Sequence, residues 1–454
     1  MLDQSFSAEN FRKIFDIENR KGNYLEGEFF PEIESKSQEV QSCIGELRTL
    51  KTEKDNHTPE EYETARISLS DKLETLRKER EEMLHAKLEE VSSNVCANDF
   101  SFGIREVDIG RPKKVFVAER SAETHFALKQ IQHNIRRLYK VKQANRHEII
   151  CQLRELLADA MPKYIVRTDI SSFYESIPRD ILLGKLRNDP LLTLQSKKII
   201  RRILYEYSQI TGRDAGLPRG IGISAYLAEL YMRDIDSSIR NHPGVLYYAR
   251  YVDDIVIIFC PPPNVGTRIF RQLVGRSFRR MGLKRNRAKT QILKVASKAP
   301  YQLTYLGYRF EVGPKAPNDP VEVDLRMSVE KIARYKKRMD LTFDAYSKSA
   351  TSSEPRARRL LERRVRFLTG NTRLVNNKKN VVSGIYFSNP LLNTVEDLDD
   401  LDAYLQTKIA SLPPGRLKNR LASQSFKYGY QTKRYSKFSA RNLFDIVEVW
   451  KHAS

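Results

Sequence analysis

Three carboxylates stand out in this 454-residue sequence because of where they fall. Asp169 ends the apolar run Tyr164-Ile165-Val166-Arg167-Thr168, and the polar stretch after Ile170 turns the chain away, so one acid is expected at the end of a strand. Asp253 and Asp254 lie between two strand-like runs, residues 245–250 and 255–259, as the tip of a hairpin does. Adjacent acids in so apolar a setting are costly unless cations neutralise them. Magnesium suits such a place because it takes oxygen ligands and keeps positions open for phosphates. Two ions roughly 3.5 to 4 Å apart, bridged by Asp169 and Asp253, would serve phosphoryl transfer. Taken alone, the Asp-Asp pair fits a solvated hairpin turn equally well.

Carboxylates at strand ends need a scaffold, and the composition allows one. Hydrophobic residues make up 40% and aromatics 9%, enough for a core despite 30% charged residues. The length suits two to four subdomains of roughly 100 to 150 residues. Lys and Arg outnumber Asp and Glu by 79 to 57, a net charge of +22 that points to a polyanionic partner. No stretch approaches the 18 or so uncharged apolar residues of a spanning helix, and the N-terminus lacks a signal-peptide core, so a soluble cytoplasmic protein with no membrane partner is expected. Cys43, Cys96, Cys151 and Cys260 form no CxxC pair, which speaks against a zinc module or a disulfide framework.

Residues 32–93 are highly charged and lack glycine after Gly45, a composition suited to two long helices. Thr58-Pro59-Glu60-Glu61 reads as a helix start with a capping box. Leu69, Leu73, Leu76 and Met83 follow as an apolar seam, suited to a hairpin packed on its own protein or to a subunit contact. From about residue 100 the texture is mixed α/β. A turn-rich stretch at 313–320 leads into a basic C-terminal third that reads mostly as helix. There, Glu396, Asp397, Asp399, Asp400 and Asp402 are better explained as favourable charge at a helix start than as a nuclease site.

Five segments in series lift the ambiguity of the acid pair. The Asp169 segment resembles motif A of reverse transcriptases, Gly216-Leu217-Pro218-Arg219-Gly220 motif B, and Tyr251-Val252-Asp253-Asp254 motif C. Residues 282–290 resemble motif D, and Tyr305-Leu306-Gly307-Tyr308 the primer-grip motif E. Residues 167–177 and Ala225-Tyr226-Leu227-Ala228-Glu229-Leu230-Tyr231 look most like bacterial reverse transcriptases of the abortive-infection and defence-associated groups. The N-terminal helices, Phe367-Leu368-Thr369-Gly370-Asn371-Thr372-Arg373 and Gly384-Ile385-Tyr386-Phe387-Ser388-Asn389-Pro390 resemble the first polymerase of the type 3 two-polymerase defence system.

The resemblance implies an α+β right-hand polymerase. Its parts would be an N-terminal extension at 1–99, fingers at 100–165, a palm at 166–312 with part of the fingers at about 180–212, and a helical thumb and C-terminal region at 313–454. It implies an RNA-directed DNA polymerase in anti-phage defence, with two Mg²⁺ ions held by Asp169, Ile170, Asp253 and Asp254. Phe173, Tyr174, Pro218, Arg219, Gly220 and Lys289 would contact the nucleotide, Tyr174 as a steric gate against a 2′-hydroxyl. Arg219 stands where many relatives have Gln, which suits a grip on a phosphate. Lys142 and Arg146 are further candidates for clamping phosphates. Tyr251, Tyr305, Leu306 and Gly307 would meet nucleic acid, with Lys336, Lys337, Arg359 and Arg363 on cationic helices that follow a duplex backbone. Implied partners are an RNA template, a DNA product, dNTPs, a structured non-coding RNA, a second reverse transcriptase subunit, and another copy of the chain through the N-terminal helices. These motifs govern phosphoryl transfer and not template choice, so they also fit an enzyme making repetitive or template-independent DNA. A catalytically silent nucleic-acid scaffold would have no need of all three acids.

Overall fold

The computed structural model describes residues 2–110, 113–260, 267–314, 316, 319–373 and 382–451. From the N-terminus run α1 (Ala8–Arg20), α2 (Leu25–Phe29), α3 (Pro31–Thr52) and α4 (Pro59–Cys96), then the short strands β1 (Arg105–Val107) and β2 (Val115–Val117). Helices α5 (Ala122–Leu138) and α6 (Arg146–Ala158) precede β3 (Lys163–Asp169), followed by α7 (Phe173–Ser176), α8 (Arg179–Asn188), α9 (Leu194–Thr211) and α10 (Ile223–Arg240). Next come β4 (Val245–Tyr251), β5 (Asp254–Phe259), α11 (Thr267–Arg280), β6 (Gln291–Val295), β7 (Tyr301–Tyr305), β8 (Tyr308–Pro314) and β9 (Val321–Met327). The chain ends with α12 (Val329–Thr369), β10 (Asn371–Arg373), β11 (Val382–Gly384), α13 (Glu396–Ala410), α14 (Arg416–Ala422), α15 (Phe426–Gln431) and α16 (Ala440–Glu448). By contacts the chain divides into one unit of residues 1–107, 115–141 and 179–227 and another of 108–114, 142–178 and 228–454.

In the first unit, α3 and α4 form the expected helical hairpin. Thr58 accepts from the Glu61 amide while the Glu61 carboxylate accepts from the Thr58 amide, closing the capping box. The buried seam of α4 is Leu73, Leu84, Leu88, Val91 and Val95. Met83, expected in that seam, is 36% exposed. Three turns of a straight helix take about 11 residues, so Leu84 and not Met83 shares the face of Leu73.

The second unit is built on an antiparallel sheet of order β4-β5-β3-β6 and a second antiparallel sheet, β7-β8-β9. Residues Ile255 to Phe259 are all fully buried, because the first sheet is covered on both faces. On one side Val256 and Ile258 pack with Ile149, Ile150, Leu153 and Leu157 of α6 and with Leu303, Phe310 and Leu325 of the second sheet. On the other, Phe259 lies 4.1 Å from Phe270 of α11. Each such side chain contributes roughly 1.5 to 3 kcal/mol on burial, so the strands that carry the acids are held by their apolar neighbours. Lys163, at the buried start of β3, ends α6 by donating to the carbonyls of Leu156 and Asp159, both at 2.7 Å.

Downstream, α12 packs Met339, Leu361 and Val365 against Leu398, Leu401 and Leu405 of α13 and Ile446 of α16. Ser353 breaks α12 with φ −156° and ψ 80°, two residues before Pro355. The acidic group at 396–402 does open a helix, α13. Asp397 accepts from the Met327 amide at 2.7 Å, and Asp402 accepts from Ser425 Oγ and the Phe426 amide, both at 2.6 Å. Those acids are joints of the fold. No helix among the described residues is long and apolar enough to cross a membrane.

Candidate active site

Strand pairing brings the three acids together. Asp169 and Asp254 are direct partners across β3 and β5, and Asp253 occupies the turn just before. The Ile170 amide donates to the Asp253 carbonyl at 3.3 Å, tying the end of β3 to that turn. Within the turn Val252 has φ +59°, where a β-branched residue is an outlier. Such strain costs on the order of 1 to 3 kcal/mol and persists only where the surroundings impose it. Arg250 is part of those surroundings: its guanidinium donates to the Val252 carbonyl at 3.0 Å and is forked between Glu229 and Asp236, with contacts from 2.7 to 3.0 Å. Burial alone would lower its pKa, but Asp236 and Glu229 raise it, so the guanidinium stays charged.

The segment after α11 closes the other side. The Asn286 amide donates to the Asp169 carbonyl at 2.7 Å and the Ser171 amide to the Lys284 carbonyl at 2.9 Å. Thr168 and Thr290 share a hydroxyl hydrogen bond of 2.9 Å. This brings Lys289 Nζ to 2.7 Å from Asp169 Oδ2. The hydrogen bond to Asp169 holds the Lys289 ammonium above its ordinary pKa.

The electrostatics are those of an under-neutralised acidic site. Burial, then the charge of Asp169, pushes the Asp253 carboxyl up. Burial, then the charge of Asp253, does the same at Asp254, whose nearest guanidinium, that of Arg167, is 4.0 Å away. Asp169 Oδ1 is buried with no hydrogen-bond partner. Among the described residues no three ligating side chains close on one point, one oxygen of Asp169 being engaged by Lys289. The donor set nonetheless suits a hard divalent cation: it is all oxygen, it includes an unsatisfied buried atom, and two of its carboxyls are disfavoured as anions by burial and by neighbouring acids.

The remaining sequence candidates fall in several places. Phe173 is buried and its ring centroid is 5.4 Å from that of the half-buried Tyr174, four and five residues beyond Asp169. Tyr251 pairs with Asp254 across the hairpin. Tyr305 is fully buried and donates to the Asp254 carbonyl at 3.0 Å, so it braces the acid hairpin from beneath instead of meeting a nucleic acid. Arg146 donates to the Leu306 carbonyl at 3.1 and 2.7 Å and lies over the Tyr308 ring, so it fixes the Leu306-Gly307 turn. Lys142 is exposed at the start of this part of the second unit. Along α12, Lys336 lies over the Tyr404 ring, Arg363 donates to Asn442, and Lys337 and Arg359 are exposed.

Pro218, Arg219 and Gly220 belong to the first unit. The Arg219 carbonyl accepts from the Phe116 amide at 2.7 Å, and the Pro218 carbonyl accepts from Ser224 Oγ at 2.7 Å. Gly220 has φ +108°, and a Cβ there would come within 2.4 Å of the Phe116 carbonyl oxygen. The glycine is therefore demanded by close approach to β2, a reason internal to the fold.

Sequence reasoning passed over several residues of this region. Lys113 exerts a favourable charge interaction on Asp253. Its signal was a Lys-Lys pair between two short strand-like runs. Arg250, Glu229 and Asp236 are 14 and 21 residues apart and gave none. Lys331 is packed over Tyr308 and donates to the Ser388 carbonyl, and burial beside Arg146 and Arg334 lowers its pKa to about 7.

Residues 117–310 match the family model described as Reverse transcriptase (RNA-dependent DNA polymerase). No curated protein matches the sequence. Among solved structures the chain is similar to a telomerase from Candida albicans in complex with a TWJ fragment of telomeric RNA, at 12% identity and a TM-score of 0.33, over 73% of this chain and 56% of that one. Apo telomerase from Candida tropicalis gives 12% and 0.36 over 77% and 61%. The same apo telomerase truncated from its C-terminal domain gives 14% and 0.33 over 54% and 60%. The chain thus spans 56% to 61% of the length of these telomerase chains. Residues 117–310 thus match a reverse transcriptase domain, within a chain of helices and antiparallel sheets.

Proposed function

We propose that this chain, an RNA-directed DNA polymerase by its reverse transcriptase domain, extends a 3′-hydroxyl with deoxynucleotides at Asp169, Asp253 and Asp254. The observation that carries this reading is the direct pairing of Asp169 with Asp254 across β3 and β5, with Asp169 Oδ1 buried and unpartnered. Asp169, Asp253 and Asp254, with the Ile170 backbone, would hold two Mg²⁺ ions, which when bound supply charge neutralisation and activation of the attacking hydroxyl.

The chain's own residues account for the rest. Lys289 is a cation and proton donor already hydrogen-bonded within the acidic site, suited to steady a triphosphate and to protonate departing pyrophosphate. Lys113 adds positive charge near Asp253 for the same triphosphate. Tyr174, backed by Phe173, is the steric gate against a 2′-hydroxyl. Arg219 would grip a phosphate with Pro218 and Gly220 lining the nascent pair, and Lys142 is a further phosphate contact. The Leu306-Gly307 turn would present Arg146 and Lys331 to the primer strand beside Tyr251, while Lys336, Lys337, Arg359 and Arg363 of α12 would follow the duplex. On this reading residues 166–312 act as palm and 313–454 as thumb and C-terminal region.

The finer placement rests on the sequence: the resemblance of residues 167–177 and 225–231 supports an anti-phage role with a non-coding RNA template, that of the N-terminal helices and residues 367–373 and 384–390 a second polymerase subunit, and the apolar seam of the N-terminal helices self-association, in a cytoplasmic setting. The test is to purify the chain with its bound nucleic acid, sequence that RNA, and supply labelled dNTPs with Mg²⁺. Incorporation that follows the RNA is expected, with a fall of roughly 10³-fold or more in Asp253→Ala. Tyr174→Ala should raise ribonucleotide use. No incorporation by the wild type, or equal incorporation by Asp253→Ala, would overturn the assignment, and product unrelated to the RNA would replace it with template-independent synthesis.

A further inference from the structure

The 42 residues from 403 to 444 hold nine lysines and arginines and no carboxylate. In this stretch the chain after α15 is pinned along β10: the Asn371 amide donates to the Arg434 carbonyl and the Ser436 amide to the Asn371 carbonyl, both at 2.8 Å. Residues 371 and 435 form a parallel bridge. Alternation along such an extended segment turns Ser436 and Phe438 inward and leaves Lys433, Tyr435 and Lys437 facing solvent.

Aromatic rings continue this cationic face. The Tyr435 ring, 48% exposed, lies 5.6 Å from Phe387, which in turn lies 5.1 Å from Tyr386. Lys433 Nζ stands 4.6 Å from the centre of the Tyr386 ring. Beside it the Arg434 guanidinium is 5.9 Å from the ring of Tyr428, which is 54% exposed. Large rings left half in water bury little against their own protein, and cations alternate with them at the spacing of an extended chain. A ligand with flat faces and negative charge at regular intervals matches both features.

We infer that this face is a stacking platform for single-stranded nucleic acid, with Tyr428 and Tyr435 taking base faces and Lys433 and Lys437 taking phosphates. A duplex offers phosphates but keeps its base faces stacked inside, so the rings select the single strand. The site lies outside the acid cluster and does not depend on the polymerase reading. RNA and DNA strands share this chemistry, and the 2′-hydroxyl is what would separate them.

The test uses the full chain with fluorescent oligonucleotides of about 12 residues: oligo(U), oligo(dT), an abasic strand and a blunt duplex. Matching thio-substituted strands are crosslinked and the crosslinked peptides mapped. Crosslinks are expected at Tyr428 or Tyr435. Combined Tyr428→Ala and Tyr435→Ala should weaken oligo(U) or oligo(dT) roughly tenfold or more while leaving the abasic strand and duplex unchanged, and Tyr435→Trp should retain binding. Lys433→Gln should lower the slope of log affinity against log salt by about 0.7. Preference for oligo(U) over oligo(dT) assigns the platform to RNA, and the reverse assigns it to DNA. Asp253→Ala should change none of these results. Equal loss on the abasic strand, no loss on any strand, or crosslinks confined to other segments would overturn the inference.

Discussion

Two hairpin turns of the second unit share a length and differ in charge. Tyr251-Val252-Asp253-Asp254 and Tyr305-Leu306-Gly307-Tyr308 each join antiparallel strands through two residues, and each begins with a bulky residue at positive φ, +59° at Val252 and +47° at Leu306. The first is acidic and starved of cations. The second is ringed by them: a Cβ on Gly307 would lie 3.5 Å from the Arg146 guanidinium and 3.8 Å from Lys331 Nζ. The Tyr305 hydroxyl joins the two by its bond to the Asp254 carbonyl. Two turns of one length thus differ in charge according to their own residues and the side chains that other elements bring to them, Arg146 and Lys331 at the second.

If the acid turn is held by its salt-bridged brace, removing Arg250 should do the most damage. Arg250→Ala leaves the half-buried carboxylates of Glu229 and Asp236 without their cation, Asp236 keeping only the Tyr248 hydroxyl, and should cost about 2 to 3 kcal/mol in denaturant unfolding. Adding Glu229→Gln and Asp236→Asn should recover much of that stability without activity, because the Val252 carbonyl still lacks its donor. Full activity in the triple variant would show that the turn holds its shape unaided.

Next in size is the link between the turns. Burial keeps the Tyr305 phenol protonated, well above its ordinary pKa, and therefore a donor. Tyr305→Phe should lower stability by about 1 kcal/mol and nucleotide incorporation by roughly tenfold, with nucleic-acid affinity nearly unchanged. A loss of affinity alone would instead make Tyr305 a direct contact.

The smallest effect concerns the cationic turn and pH. Lys331 titrates near 7 when folded and near the ordinary lysine value when unfolded, because burial, Arg146 and Arg334 disfavour its charge. Below pH 7 both states are protonated and the folded state bears the full cost; as pH rises toward 10 the unfolded state holds the extra proton and stability increases. Between pH 6 and 8 the gain should be about 1 kcal/mol, and Lys331→Met should abolish it. An unchanged pH slope in Lys331→Met would mean that the ammonium is adequately solvated.

Much of this was legible before any coordinates. The acids, their strands and the capping box at Thr58 follow from local pattern, because apolar runs, turns and caps are written in neighbouring residues, while the Lys289 segment was found through its resemblance to motif D. The brace at Arg250, the inward turn of Tyr305 and the capture of Arg146 by the Leu306 carbonyl depend on residues brought together from distant elements. An arginine ahead of a helix gives no sign of which carbonyl will take it. Met83 was misplaced for a related reason, since a seven-residue count does not follow a straight helix over three turns.

The break at Ser353 divides α12 into two arms. Sixteen residues separate it from the helix end at Thr369, a reach of about 24 Å at 1.5 Å per residue. Both arms are anchored in the same core, Met339 and Phe343 before the break and Leu361, Val365 and Leu368 after it, so the bend turns one helix around a single apolar centre and both lengths are fixed there.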